Sequence, residues 1–290
     1  MNKKYVKSMC TVLIISLLLS SMSFFTLAAG PSNNVTDTEK AMSLDEQLKE
    51  VLNSTALTEK QKNAAIEKIN AAKKINSSKS SFNQKAASMN SAAGTYSSAL
   101  SSGVSTPFAY RVNSYEIKVP CYKQETRYWC GPATVKQTLQ YLKGSSPSQS
   151  ALAKALGTTT SGTSIYAIQK YLNNHQNKNT YVQMTPSSNN AMQNAMLMAV
   201  KTYKAPPVLL VKIKDDNFGK KAGYNSNGHY LNVSGVYHVY TTPSSGCTVN
   251  YRLVDPYQQW KINGSTGIYQ VTGLEAYKAV KAHRLQSFLY

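Results

Sequence analysis

The stretch Tyr128-Trp129-Cys130-Gly131-Pro132-Ala133 decides how the second half of this 290-residue chain folds. Val135, Leu139 and Leu142 follow it at spacings of four and three, which indicates the apolar face of a helix. A proline suits the first turn, because an N–H group there has no partner within the helix. Cys130 is therefore predicted at a helix N-terminus, where the positive end of the helix dipole stabilises a thiolate.

A nucleophilic thiolate needs a base, and the chain has four histidines. His229 opens an apolar strand directly after Asn227-Gly228, so the strand can hold its side chain rigidly in a cleft. We predict His229 as the base, with His238 on the same strand as the alternative. His175 and His283 are predicted to be exposed to solvent.

Asp255 is the candidate for the group that orients the base. It ends the apolar stretch 251–254 and precedes a proline. If the strand of His229 pairs with this stretch through a turn at 241–246, their far ends meet and Asp255 lies near His229. A carboxylate there fixes the tautomer of the imidazole and stabilises the imidazolium. The alternative interpretation is an ordinary Asp-Pro turn.

Acyl transfer also needs hydrogen-bond donors where negative charge develops on the substrate oxygen. The side chain of Gln124, six residues before Cys130, is one candidate donor, and the Cys130 backbone N–H is the other. No spacing of cysteines and histidines is typical of a zinc site, so neither a metal nor a cofactor is expected.

Four segments together resemble the bacteriocin-processing cysteine peptidase family and its stand-alone secreted relatives. The segments are 119–124, 128–133, 228–230 and 254–256. The resemblance implies an α+β, papain-like fold, with a helical N-terminal half whose nucleophile helix packs on an antiparallel sheet.

The same resemblance implies the site residues. Gln124 would form the oxyanion hole, Cys130 would be the nucleophile, His229 the base and Asp255 the orienting group. Well-known members of that family are fused to membrane transporters and cut leader peptides after paired glycines. This sequence carries no transporter segment, so the double-glycine specificity is not expected to carry over.

Composition predicts three regions. Residues 1–29, basic and then apolar with small residues at the end, are typical of a secretory signal peptide. Residues 30–108 form a helical pro-segment or spacer plus a linker rich in Ser, Ala and Asn, and residues 109–290 form the peptidase domain. No later apolar run is long enough to span a membrane, so we expect a secreted protein, with cell-wall association as a further expectation.

The region 30–108 contains two helix-start signals. Ser43 with Glu46 and Thr58 with Gln61 have the capping-box pattern, which predicts two short amphipathic helices. They could form an inhibitory propeptide or a spacer, and both interpretations stay open.

The predicted peptidase domain divides into a helical half and a strand half, which predicts an α+β fold. The expected helices are one from Cys130, then 148–156, 164–173, 190–203 and 274–282; the expected strands are 208–213, 230–240, 249–254 and 267–271. The cysteines left after signal removal allow either a Cys121–Cys247 disulfide with Cys130 as a thiol, or three thiols.

Charge suggests the surroundings in which the protein works. The whole chain carries a formal net charge of +19, of which residues 109–290 carry +14. A basic, exported domain suits anionic cell-wall polymers or acidic substrates. No nucleic-acid-binding motif occurs, so nucleic acid is not an expected partner, and we expect a monomer.

The leading hypothesis is a secreted thiol peptidase that acts on peptide or protein substrates. One alternative is an amidase or endopeptidase of cell-wall peptidoglycan. Another is a catalytically retired peptidase fold that only binds.

Overall fold

A computed structural model describes residues 39–55, 57–78, 110–240 and 247–290. The predicted signal peptide, most of the predicted linker and the expected turn at 241–246 lie outside the described residues. Within them, the predicted α+β class is confirmed by nine α-helices and a seven-stranded antiparallel sheet. None of the helices in the described ranges is both long and apolar enough to cross a bilayer.

The secondary-structure elements alternate irregularly along the chain. The α-helices are α1 Leu44–Asn53, α2 Glu59–Ser77, α3 Cys130–Lys143, α4 Gln149–Ala155, α5 Ile165–His175, α6 Asn189–Leu197, α7 Gly219–Ala222, α8 Pro256–Lys261 and α9 Gly273–Ala282. The strands are β1 Tyr110–Glu116, β2 Gln183–Met184, β3 Val208–Ile213, β4 Ser226–Tyr240, β5 Thr248–Val254, β6 Ile268–Thr272 and β7 Phe288–Leu289.

The sheet is organised around the long strand β4. The strand order is β2-β7-β3-β4-β5-β6, and β1 pairs with the later half of β4 on the side that β3 leaves vacant. On its other side, β4 pairs with β5 in the hairpin that the sequence predicts. The start of β4 and the end of β5 therefore lie next to each other.

Helices cover both faces of the sheet, and β3 shows how its residues serve both. Val208 and Leu210 belong to the core cluster that contains α3 and α5. Leu209 and Val211 belong to the cluster that contains α6 and α9. Successive side chains of a strand point to opposite faces, so a continuous apolar run is what a doubly covered strand requires.

Helix α3 packs against the face of the sheet that Val208 and Leu210 line. It begins at Cys130, as predicted, and ends at Gly144, whose φ of 74° is the left-handed conformation that glycine adopts without strain. Polar bonds fix α3 on β4. Thr134 Oγ1 donates to the Tyr230 carbonyl at 3.1 Å, and Asn232 Nδ2 donates to Gln137 Oε1 at 3.0 Å.

Several predicted boundaries shift in the structure. The predicted helix 190–203 is α-helical only as far as Leu197 and continues as a π-helix over Met198–Tyr203. The predicted strand from 230 already begins at Ser226. Strands β1, β2 and β7 were not predicted, because two of them are only two residues long and all three pair with distant segments.

Both predicted helices are present as α1 and α2, each with its capping box, and they form a hairpin. The hairpin packs onto the peptidase domain: Ile69, Ala72 and Ile75 belong to the larger core cluster and are at most 7% exposed. The hairpin is thus part of the same hydrophobic core as the sheet.

The hairpin also closes one edge of the sheet. Gln47 Nε2 donates to the Gln183 carbonyl at 2.7 Å, and its Oε1 accepts from the Gln183 N–H at 2.9 Å. A side-chain amide therefore takes the place of a neighbouring strand at β2. The ammonium group of Lys68, on α2, is buried over the rings of Tyr203 and Tyr290 and donates to Asn179 Oδ1 at 2.7 Å.

Candidate active site

Cys130 is the first residue of α3 and is completely buried. The next residue has to be glycine, because a Cβ on Gly131 would lie 2.5 Å from Thr163 Oγ1. Tyr230 Oη in turn donates to the Thr163 carbonyl at 2.9 Å. The first turn of α3 is thus confined between the 163 loop and β4, which holds the thiol in a fixed position.

His229 lies at the start of β4 with its ring fully buried. Its Nε2 makes a 2.9 Å hydrogen bond with Asp255 Oδ1. No other hydrogen bond of the described residues engages Nδ1, so Nδ1 is the ring nitrogen that remains for Cys130. The sequence prediction that the β4–β5 hairpin joins His229 and Asp255 is matched by this contact.

The electrostatics of the site favour a charged imidazole. Burial by itself lowers the pKa of His229, but the Asp255 charge and hydrogen bond, together with the Cys130 thiolate, raise that pKa to about 9. His229 is therefore an imidazolium at neutral pH.

Asp255 is a fully buried carboxylate with hydrogen bonds to both oxygens. Oδ1 accepts from His229 Nε2 and from the backbone N–H groups of Tyr257 and Gln258, since Asp255 is the N-cap of α8. Oδ2 accepts from Tyr224 Oη at 2.6 Å and from Tyr269 Oη at 2.8 Å. Burial would raise the pKa of Asp255, but His229 and the other donors hold it below its ordinary value.

Gln124 lies in the segment before α3, and its side chain is completely buried. Its backbone N–H donates to the Pro256 carbonyl at 3.1 Å, which ties it to the residue after Asp255. Nε2 donates to the Thr126 carbonyl at 2.6 Å and has a second hydrogen to offer. Gln124 Oε1 and Thr126 Oγ1 are buried without a hydrogen-bond partner in the described residues.

The other histidines lie elsewhere. His238 is nine residues further along β4, about 30 Å away at the rise of a strand, so the structure excludes it as the alternative base. His175 is exposed, as predicted, and stacks on Tyr171. The prediction for His283 was wrong: it is buried, its Nδ1 accepts from the Leu285 N–H, and burial lowers its pKa to about 4.

No disulfide joins any of the cysteines in the described part of the chain, Cys121, Cys130 and Cys247. The proposed Cys121–Cys247 bridge is therefore wrong, and the alternative of three thiols holds. Cys121 Sγ instead contacts the Asp255 carbonyl at 3.6 Å. Across the described ranges, no group of three or more His, Cys, Asp or Glu side chains is arranged to hold a metal ion.

Tyr224 and Tyr269, the two hydroxyl donors to Asp255, could not be predicted from the sequence. The chain has 20 tyrosines, and no spacing distinguishes these two from the others. The N-cap role of Asp255 could have been found, because an Asp followed by a proline is a common start of a helix.

A comparison with known protein families gives a match, whereas one with curated proteins does not. No curated protein matches the chain. The peptidase C39-like family matches residues 116–282, which is more than half of the chain and includes every residue of the site. The chain belongs to the peptidase C39-like family and is a cysteine-type peptidase, a hydrolase, with a papain-like fold.

Proposed function

We propose that this protein is a secreted thiol peptidase in which Cys130, His229 and Asp255 form the catalytic triad and Gln124 supplies an oxyanion donor. The observation that carries the proposal is the buried 2.9 Å bond from His229 Nε2 to Asp255, which leaves Nδ1 for a thiol at a helix N-terminus. Burying an ion pair costs desolvation free energy, and titratable groups with strongly shifted pKa values cluster at functional sites.

In the first step, the Cys130 thiolate attacks the carbonyl carbon of a peptide bond and a C–S bond forms. Negative charge moves to the carbonyl oxygen, where the Gln124 amide and the Cys130 N–H donate hydrogen bonds. The C–N bond then breaks, and the leaving amine takes its proton from His229 Nδ1.

In the second step, neutral His229 accepts a proton from water as the water attacks the thioester. The C–S bond breaks, the carboxylic acid product leaves, and the thiolate and imidazolium are restored. Asp255 keeps its charge throughout, holds the ring by Nε2 and stabilises the imidazolium.

The side-chain amide of Gln124 supports its role as an oxyanion donor. Nε2 donates one hydrogen to the Thr126 carbonyl at 2.6 Å and has a second hydrogen to donate. An oxyanion accepts hydrogen bonds, so this second hydrogen suits the carbonyl oxygen of a substrate.

The test is digestion of a peptide library by the protein under reducing conditions, with the products identified by mass spectrometry. The parent and a Cys247→Ala control should cleave the same bonds, and Cys130→Ala should cleave none. Unchanged cleavage by Cys130→Ala would refute the proposal. The sequences around the cleaved bonds would define the specificity, including any preference for paired glycines.

Peptidoglycan stem peptides are a second candidate substrate. The charge of +14 on residues 109–290 favours an anionic cell wall as the surroundings of the substrate. Incubation with purified peptidoglycan should then release new amino groups, and their absence would argue against this substrate. If neither peptides nor peptidoglycan were cleaved, a binding protein on a retired peptidase fold would remain.

A further inference from the structure

The two tyrosine hydroxyls on Asp255 are the most distinctive polar feature that the proposed mechanism does not use. They come from separate parts of the fold: Tyr224 precedes β4, and Tyr269 lies on β6. Both point at the same carboxylate oxygen, Oδ2, at 2.6 and 2.8 Å. The opposite oxygen, Oδ1, is the one that bonds His229.

We infer that Tyr224 and Tyr269 are positioning residues of the catalytic site, which hold the Asp255 carboxylate ionised and aligned on His229. This inference rests on the proposed triad and deepens it. The two tyrosines do not touch the reacting atoms and act only through Asp255.

The two tyrosines complete the hydrogen bonds of the Asp255 carboxylate. Asp255 is fully buried, and a buried ionised carboxylate is unstable unless both oxygens accept hydrogen bonds. The N-cap of α8 and His229 supply donors to Oδ1 only. Among the described residues, every hydrogen bond that Oδ2 accepts comes from Tyr224 or Tyr269.

The two tyrosines also fix the orientation of the Asp255 carboxylate. A carboxylate bonded through one oxygen can still rotate about its side-chain torsions, whereas one held at both oxygens cannot. Tyr224 is itself fixed, because its ring packs edge-on against His229 and against Tyr257 at centroid distances of 5.8 and 4.7 Å. Tyr269 is fixed because it lies on β6, where it pairs with Leu253 on β5.

Both tyrosine hydroxyls keep their protons. A tyrosine is a hydrogen-bond donor to a carboxylate only while it keeps its proton. Burial and the neighbouring Asp255 charge raise the pKa of Tyr224 and Tyr269 well above the ordinary value. Both hydroxyls therefore remain donors over the whole pH range in which the triad works.

Five titratable groups face Asp255 and could affect the pH dependence of the site. These groups are His229 on β4, Tyr224 before β4, Tyr269 on β6, Tyr257 on α8, and Cys121 before α3. Burial is the main cause that raises the pKa of Cys121, to about 12, so its thiol stays neutral. Only the Asp255 carboxylate among them titrates in the acid range.

The experiment compares Tyr224→Phe, Tyr269→Phe and the double variant with Tyr251→Phe as the matched control. Tyr251 is also fully buried, but its hydroxyl has no hydrogen-bond partner among the described residues, and it lies outside the site. The first readout is the rate at which iodoacetamide alkylates Cys130. This rate is measured by peptide mapping at a series of pH values. This readout needs no substrate, so it separates the inference from the peptidase activity.

We expect each single variant to alkylate about tenfold more slowly at neutral pH and the double variant about a hundredfold, since each loses a bond to a charged group. The acid limb of the profile should move to higher pH, most in the double variant, and Tyr251→Phe should match the parent. On a cleaved peptide, kcat should fall while KM stays the same.

A purely structural role would lower the melting temperature and leave the pH profile unchanged, and that result would overturn the inference. So would a double variant with the alkylation profile of the parent. If the parent alkylates quickly and the variants slowly but no peptide is cleaved, the inference stands and the proposed function fails.

Discussion

Replacement of Asp255 by asparagine tests the electrostatic centre of the site directly. The Asp255→Asn substitution keeps the size of the side chain and removes its negative charge. In the parent, the charge and hydrogen bond of Asp255 overcome the burial that lowers the pKa of His229, and hold it at about 9. Without that charge, burial is the dominant cause, so the pKa of His229 should fall below its ordinary value of 6.5.

The size of the change in imidazolium stability follows from the two pKa values of His229, about 9 in the parent and below 6.5 in the variant. A fall of more than two pH units destabilises the imidazolium by about 3 kcal/mol relative to the neutral ring. The amide also fits badly, because its NH₂ group would face donors in either orientation. At the Oδ2 position it would meet the hydroxyls of Tyr224 and Tyr269, and at the Oδ1 position the N–H groups of Tyr257 and Gln258. The imidazolium form of His229 should therefore be lost at neutral pH.

Nuclear magnetic resonance titration of the histidine ring protons is the assay. The chain has only four histidines, so the signals can be assigned with single His→Gln variants. In the parent, His229 should titrate near pH 9, and in Asp255→Asn it should be neutral at pH 7. Asp215→Asn, the same chemical change on an exposed loop residue, should leave the titration unaltered.

The stability of the protein should change with pH in a matching way. A His229 pKa raised above 6.5 contributes stability that is complete below pH 6.5 and is lost as the pH rises through about 9. Asp255→Asn should lack this decline between pH 6.5 and 9 in urea denaturation. A His229 that still titrates near pH 9 in Asp255→Asn would refute the reasoning.

Three further predictions concern the scaffold. Gly131→Ala should lower the free energy of unfolding by about 1–3 kcal/mol in urea denaturation, because its Cβ would meet Thr163 Oγ1 at 2.5 Å; Thr163→Gly in the same chain should restore stability, and no restoration would contradict the packing argument. Gln47→Ala should cost about 1–3 kcal/mol by leaving the Gln183 N–H and carbonyl buried without partners, whereas the exposed Lys49→Ala on the same helix should change little. A chain that begins at residue 108 should be less stable and should aggregate, because its truncation uncovers the core beneath α2 and the edge of β2. Circular dichroism and light scattering would compare this chain with one that begins at residue 30. Equal stability of the two chains would show that the α1–α2 hairpin is dispensable.

The nucleophile helix and the hairpin that carries His229 could be predicted because their signals are local. The apolar period after Cys130 predicts a helix that starts at this residue, and α3 begins there. The turn signals at 241–246 predict that β4 pairs with β5, and this pairing brings Asp255 to His229. Local patterns therefore predicted the contact at the centre of the site.

The parts that could not be predicted depend on contacts between distant segments. Tyr224 and Tyr269 reach Asp255 through the turn before β4 and the pairing of β6 with β5, neither of which leaves a spacing in the sequence. Strands β2 and β7 are too short to show a period. The burial of His283 has the same origin, because a polar residue next to Arg284 reads as exposed until the fold covers it.

The position of β7 has a consequence for how the molecule assembles. It follows every other described element along the chain, yet it lies between β2 and β3 in the sheet. Tyr290 Oη then donates to the Lys68 carbonyl, across 222 residues of sequence. A nascent chain that lacks residues 288–290 cannot connect β2 to the rest of the sheet. It also lacks the Tyr290 ring that lies against the Lys68 ammonium group. We therefore expect the α1–α2 hairpin to dock onto the sheet only after residues 288–290 have been synthesised. Docking of the hairpin and pairing of β7 would then be the last steps of folding.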